Sequence, residues 1–537
     1  MNRPSHHDRR YFLFQLSVSA TALFLPQSSW SYSHCSHDPF GLGVASGAPT
    51  ADSVVLWTRL LFSEARDANT APPVGVHWEI AHDEQFKQLV QTGTASASAT
   101  LGHSVHVEVQ GLAADRWYFY RFRVGDFISA LGRTRTFPKP DAKVNKLRLG
   151  YASCQKWEDG YFTAWRHMKD ERLDVVMFLG DYIYEYPALT SKVRTPPGGW
   201  VLTLNDYRQR YALYKGDADL QAMHATCPWL MTWDDHEVQN DYAGMQAGFS
   251  SASDPSDPAD FLNRRAAAYQ AYYEHMPIRA SSLKQGLASL VASEKNGAEM
   301  RLYSRVQFGQ LACLYLLDAR QYKDPQACNK ADSRGSNMAN PALCASWGDP
   351  KRSLLGQAQE QWLEDEFSRN GSKTSSWNVL GQSTLFGQRD FKVGPGQALW
   401  NDGWDGYAAA RTRLTDALQK HAVSNPVFLG GDVHENWVGH IKADYADSDS
   451  AAVGVEFCGT SITSRSGGNS KLPERLAENP HFVFADAQRK GYGVVEFTPR
   501  QLTTTLRAVD DVTLKDTRIE TLASFHVENG RHSIMRG

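Results

Sequence analysis

From about residue 146 onward the chain repeats one pattern: a short apolar run, then polar residues that bind metals well, then a longer stretch with helical spacing. Val175-Val176-Met177-Phe178-Leu179 runs into Gly180-Asp181-Tyr182-Ile183-Tyr184, and Pro426-Val427-Phe428-Leu429 into Gly430-Gly431-Asp432-Val433-His434. Leu147–Ala152 leads to Ser153-Cys154-Gln155, and Trp229–Trp233 to Asp234-Asp235-His236-Glu237. Such runs predict buried strands, with further ones at Leu311–Leu317 and Trp377–Leu380. Helices are predicted at Phe162–Glu171, Asp206–His224, Phe261–His275, Leu354–Phe367 and Tyr407–His421. Alternating strands and helices are the sequence form of an α/β fold or a layered αββα core. In such sheets, sites form beyond the carboxyl ends of strands, so the polar ends can converge. Carboxylates gathered there repel one another, and bound cations are the simplest remedy.

None of these pieces decides alone. A Gly-Asp after a strand also serves as a turn or cap, and Asp-Asp-His-Glu as the acidic first turn of a helix. Cys154 alone reads as a buried thiol. Gly-Asp-x-His at a strand end is the strongest single signal, and the ordered combination is far more specific than any member.

Before residue 138 the pattern is all-β. Ser53–Thr58, Val74–Ile80, His103–Val109, Trp117–Val124 and Arg133–Phe137 are strand-like and separated by turn residues, the spacing of a small sandwich. Leu112 with Tyr118 resembles the fibronectin type III corner, in which a Tyr hydroxyl bonds back to the turn. Pro138-Lys139-Pro140 reads as a linker, which gives a sandwich domain over 37–140 and a larger domain over 141–537.

Residues 1–36 read as an export signal. A polar start ends in Arg9-Arg10, and the apolar stretch Tyr11–Leu25 is too short and interrupted for a membrane span, which needs about 20 apolar residues. Asp8-Arg9-Arg10-Tyr11-Phe12-Leu13 resembles a twin-arginine signal; an incidental arginine pair in a general secretion signal is the alternative. Export by the twin-arginine translocase would leave the protein periplasmic or secreted. In that oxidising setting Cys328 and Cys344, in a polar segment, can pair, whereas Cys227 and Cys313 sit in apolar runs as buried thiols.

Together the motifs resemble those of the PhoD-type alkaline phosphatases, a branch of the calcineurin-like metallophosphoesterases. The resemblance rests on Ser153-Cys154-Gln155, Gly180–Tyr184, Trp233–Asp241, Leu317–Tyr322 and Gly431-Asp432-Val433-His434. The sandwich and the twin-arginine signal belong to the same family pattern, so it spans nearly the whole chain. It implies a four-layered αββα metallophosphoesterase core behind a fibronectin type III-like sandwich. It also implies an exported phosphoric ester hydrolase with an Fe³⁺ and Ca²⁺ site. Carried over residue by residue, Cys154, Asp181, Tyr184 and His434 would hold the iron. Asp181 would bridge to calcium, with Asp235, Asp432 and Asn240 as further oxygen ligands. In the related purple acid phosphatases an Asp stands at the place of Cys154, an Asn at that of Asp235 and a His at that of Asp432. The last two exchanges suit calcium.

The implied chemistry is in-line attack by a metal-bound hydroxide on a phosphate ester. His236 would contact the phosphate or protonate the leaving oxygen, unless it only orients a ligand. Arg320 would clamp a phosphate oxygen, or else pair with Asp318 or another carboxylate. A formal net charge of -3 offers no overall basic field for nucleic acid, so attraction for phosphate must be local. The substrates implied are small phosphate esters, taken by a monomer. The same site would also serve as a phospholipase D-like phosphodiesterase, since loops 185–205, 245–260, 322–352 and 383–406 choose the leaving group. A non-catalytic, calcium-stabilised surface-binding protein is the reading from another class. It leaves Cys154, Tyr184 and His434 without a purpose, because calcium sites do not use such donors.

Overall fold

A computed structural model of the protein describes residues 37–62, 72–187, 193–249, 252–282, 299–329, 333–370 and 375–537. The export signal over 1–36 lies outside the described residues.

Two large sheets pack face to face. The central strands of the first, Leu147–Ala152, Val175–Leu179 and Trp229–Thr232, run parallel. In the second, Ala312–Leu316, Trp377–Gly381, Pro426–Gly430 and Ala452–Cys458 run parallel. Successive strand residues face opposite ways, and this alternation builds the layers. Val175, Met177 and Leu179 join Leu314, Leu316, Val427 and Leu429 in the core between the sheets. Val176 and Phe178 face outward, under the helices Thr163–Met168, Leu204–Lys215, Ala218–His224 and Phe261–His275. Tyr315, Leu317 and Phe428 face the other way, under Gln357–Asn370 and Ala408–Lys420. The result is the expected helix–sheet–sheet–helix order. Lys490–Phe497, Gln501–Val509, Ile519–Glu528 and Ile534–Arg536 extend the first sheet on one side.

The N-terminal strands extend it on the other. Val44–Gly47 lies parallel to Trp229–Thr232, joined at Gly47 and Trp229, and carries Val54–Arg59 and Ser104–Val109 beside it. These three face the sheet of Val74–Ala81, Leu89–Ala97 and Trp117–Val124 across a core that includes Leu56, Val76, Ile80, Val107 and Phe122. Gly47 is required where backbones meet: a Cβ there would lie 2.3 Å from the Pro277 carbonyl oxygen. The tyrosine corner is formed, with Tyr118 Oη accepting from Ala113 N–H at 2.9 Å and donating to Ala113 O at 3.2 Å.

Two local readings change. The helix predicted over Asp206–His224 is two, because Asp217 accepts from the Asp219 and Leu220 N–H groups at 3.0 and 3.3 Å and starts a new helix. Asn436–Lys442, Ala452–Cys458 and Phe482–Asp486 are further strands; Gly439 breaks the apolar run of the first, and Gly454 and buried Glu456 that of the second. Cys328 and Cys344 form a disulfide, and Cys227 and Cys313 are buried thiols. Among the described residues no helix is long and apolar enough to cross a membrane.

The inter-sheet space leaves no slack at Gly381, where a Cβ would fall 2.1 Å from Met177 Sδ. Gly381→Ala should cost about 1–3 kcal/mol through overpacking, read as a lower urea midpoint at an unchanged slope.

Candidate metal centre

The parallel strands end along one rim, and the residues that follow them turn sharply into it. Cys154, Asp181, Asp432 and His434 all take left-handed backbone conformations, with φ between +58° and +66°. Such conformations cost of order 1–3 kcal/mol for residues other than glycine and persist where surroundings hold them. Here the turns hold one another: Cys154 N–H donates to Gly180 O and Gln155 N–H to Asp181 O, both at 3.1 Å. Gly180 has φ +101°, and a Cβ on it would lie 2.6 Å from the Asp234 backbone nitrogen.

These turns bring most of the predicted donors together. Ligand atoms of Cys154, Asp181 and His434 lie within 4.8 Å of one another; so do those of Asp181, Asp235 and His236, and those of Asp235, Asp241 and Asp402. Because Asp181 and Asp235 are shared, the three sets form one continuous run. Tyr184 Oη donates to Asp181 Oδ2 at 2.9 Å and lies 3.2 Å from His434 Nε2 and 2.7 Å from Ser464 Oγ. His434 Nδ1 faces the Arg465 carbonyl at 2.8 Å, which puts the proton there and leaves Nε2 as the donor atom. Asp432 Oδ2 accepts from Thr384 Oγ1 at 2.7 Å. Asp181 Oδ1 is buried and, among the described residues, has no hydrogen-bond partner.

The electrostatics show an excess of negative charge. Burial, then the neighbouring Asp181, pushes the Cys154 thiol and the Tyr184 phenol well above their usual ranges. Burial raises Asp181 strongly; His236 opposes this, and Asp235 and Asp234 reinforce it. Asp432 rises through burial and Asp234, and Asp241 is pushed up to about 7 by burial, Asp402 and Asp235. His434 is depressed to about 3 by burial and Lys490. Against their burial, Arg320 holds Asp235 and Asp402 below the usual carboxylate range, so the poorly compensated acids are Cys154, Tyr184, Asp181 and Asp432, and a cation beside them would favour their charged forms directly.

Arg320 supplies part of that charge. Its side chain is 3% exposed, with Nη1 2.7 Å from Asp402, Nε 2.5 Å from Asp234 and Nη2 3.6 Å from Asp235. Lys323 Nζ adds a contact to Asp402 at 2.5 Å. The guanidinium fork is thus turned to carboxylates. Asp318 is not among them: its Oδ1 accepts the Arg320 backbone N–H at 3.0 Å. His236 Nδ1 lies 2.8 Å from Glu185 Oε2, and its ring packs on Tyr184 at 4.2 Å between centroids. Burial alone would lower the His236 pKa, but Asp235, Glu185 and Asp181 raise it well above the usual value. Asn240 Nδ2 donates to Phe249 O at 2.9 Å.

Sequence reasoning passed over Glu185, Asp234, Asp241 and Asp402. The first three adjoin or lie within quoted motifs, so the signal was present. Asp402 sits in an irregular segment with no periodicity to mark it. A cavity of about 710 Å³ lined by Gln239, Phe249, Asp254, Phe261 and Arg264 lies beside the 236–249 segment, and none of the clustered donors lines it.

Removing the internal cation tests the charge balance. Arg320→Met should destabilise the cation-free protein by about 3–5 kcal/mol, because it strands buried carboxylates, and an added divalent cation should recover much of the loss. Urea unfolding with chelator and with calcium measures both, and a variant as stable as the parent would remove the balancing role.

Residues 149–506 match the PhoD-like phosphatase family, and residues 27–138 match that family's N-terminal domain. Alkaline phosphatase D of Bacillus subtilis (strain 168) is 43% identical over 498 residues, 91% of this chain and 80% of that protein. A solved structure of PhoD matches with a TM-score of 0.83 at 41% identity, covering 93% of this chain and 92% of that one. The chain therefore belongs to the PhoD-like phosphatase family and is a phosphoric ester hydrolase.

Proposed function

We propose that the chain acts as an exported alkaline phosphatase and phosphodiesterase at an Fe³⁺/Ca²⁺ centre held by the run of donors at the strand ends. The observation that carries this is the gradient along the run: thiol, phenol and imidazole at one end, carboxylates alone at the other. Cys154, Asp181, Tyr184 and His434 suit a ferric ion, since anionic sulfur and phenolate donors favour that state. Asp181 and Asp235 offer hard oxygens to calcium and Asp241 and Asp402 continue that side, while Asp432, outside those three sets, would add a further carboxylate. Asn240, with its amide N–H groups turned to Phe249, can add only Oδ1. The unpartnered Oδ1 of Asp181 is the natural shared donor. When bound, the ions supply Lewis-acid stabilisation of the phosphoryl group and an acidified water.

The remaining work falls to the protein. Glu185 fixes the His236 ring by its Nδ1 proton, which leaves the opposite nitrogen to contact phosphate or give a proton to the leaving oxygen. Arg320 serves through Asp234, Asp235 and Asp402, keeping the carboxylates in place, instead of gripping the substrate. Export through the twin-arginine pathway to the periplasm or beyond follows from Arg9-Arg10, and the Cys328–Cys344 disulfide suits that oxidising destination.

Metal analysis with spectroscopy tests the assignment. Cys154→Ala should lose iron, visible absorbance and nearly all hydrolysis of an aryl phosphate and a diester, even with abundant calcium. Asp432→Ala should lose calcium while retaining iron and colour. Full iron content and activity in Cys154→Ala would return that residue to the role of a buried thiol. For export, Arg9→Lys with Arg10→Lys should hold the enzyme in the cytoplasm; unchanged export in cells lacking the twin-arginine translocase would point to another route.

A further inference from the structure

Asp241 and Asp402, at the calcium-facing end, are not set by strand ends as Asp181 and Asp432 are. Asp402 is paired with Arg320 and Lys323, and the Asp241 N–H donates to Asp235 at 2.7 Å; beyond those contacts, both are held by an irregular segment comprising residues 326–329 and 333–347. Ser336 N–H donates to Asp241 Oδ2 at 2.8 Å. Gln326 Nε2 donates to Asp402 Oδ1 at 2.6 Å and to the Asp241 carbonyl at 2.8 Å. Asn401, next to Asp402, is bracketed by the same segment. It donates its N–H to Asn337 O at 3.0 Å, accepts Asn337 N–H at 2.6 Å, and donates Nδ2 to Ala327 O at 2.6 Å. Gly335, at φ +83°, passes so close that a Cβ would lie 3.0 Å from Asp241 Oδ2.

The segment has little of its own to hold it. Its regular structure is the two-residue pairing of Met338–Ala339 with Leu399–Trp400 and a single 3-10 turn over Pro341–Leu343, and its apolar support is a small cluster of Ala327, Trp347 and Leu399. Met338 and Leu343 face solvent. The strongest constraint is the Cys328–Cys344 disulfide, whose Cα atoms are 5.8 Å apart across a sequence separation of 16. A cross-link of this span removes many alternative conformations of the enclosed chain.

We infer that the Cys328–Cys344 disulfide is a positioning element for the catalytic centre: through Gln326, Ser336 and Asn401 it pre-sets Asp241 and Asp402, so that calcium affinity depends on the cross-link while the iron-facing end does not. This rests on the calcium reading above. The asymmetry follows from which elements bear the donors. Cys154 and His434 sit on turns after core strands, and the hydrogen bonds of Tyr184 Oη go to Asp181, His434 and Ser464. Without the cross-link, calcium would have to order the segment as it bound, and that ordering is drawn from its affinity.

The test is calcium chloride titration by calorimetry of the full-length, iron-loaded protein, its Cys328→Ser/Cys344→Ser variant, and Gln326→Met, which keeps the disulfide. Both variants should bind calcium about 10–100-fold more weakly, the range typical when partners of metal ligands are lost. Iron content and visible absorbance should be unchanged, and saturating calcium should restore kcat. Unaltered calcium affinity in a double-serine protein with the parent's circular dichroism overturns the inference. So does loss of iron colour together with calcium, which would mean general damage. If the double-serine protein does not fold, Gln326→Met decides, and parental affinity there overturns the positioning role. Parent protein that takes up no calcium overturns the calcium reading and this inference with it; calcium uptake by the parent with unaltered variants removes the positioning role alone.

Discussion

Repulsion among carboxylates is the constraint on which the rest of this structure depends. Asp181, Asp234, Asp235 and Asp402 are buried, and Asp241 and Asp432 are partly so, around a space crossed by two internal cations, Arg320 and Lys323. Such a concentration of like charge cannot be left unpaired in a poorly solvated interior. Part of it is met by the buried ion pairs and part by hydrogen bonds from Thr384, Ser383 and Ser336. They suffice for Asp235 and Asp402, which Arg320 holds low against their burial, whereas burial and then neighbouring carboxylates still raise Asp181, Asp432 and Asp241. A cation would complete the balance, so the donor cluster is the place where the fold is least self-sufficient.

That constraint explains why rigid scaffolding surrounds the centre. Left-handed turns at Cys154, Asp181, Asp432 and His434 cost conformational energy, and they persist because close-packed sheets stand behind them. The glycine at 381 lets the two sheets approach, and the one at 180 lets neighbouring turns nest. Precision at the rim is therefore inherited from packing between the layers.

The same logic sets how much could be read from sequence. Cys154, Asp181, Asp235 and His434 were legible because each closely follows an apolar strand, and a strand end fixes where its next residues lie. The helix over Phe261–His275 was legible to the residue, since tertiary contacts and local spacing agree. The break at Asp217 was hidden because a capping Asp looks like any polar residue on a helix surface. Asp402 was hidden for a deeper reason. Its position depends on a segment that precedes it in sequence by more than 50 residues and carries neither helical nor strand periodicity.

The parallel pairing at Gly47 and Trp229 has a consequence for the molecule as a whole. Without the N-terminal strands, Trp229–Thr232, which delivers Asp234 and Asp235, would be the outermost strand of a large and mostly apolar sheet. Its unpaired N–H and C=O groups would then be a template for any other extended chain. The N-terminal strand thus covers the start of that edge, with the Ala48 N–H donating to Trp229 O at 3.1 Å. The exposed face of the sandwich can vary freely, so long as the strand beside Trp229 stays in place.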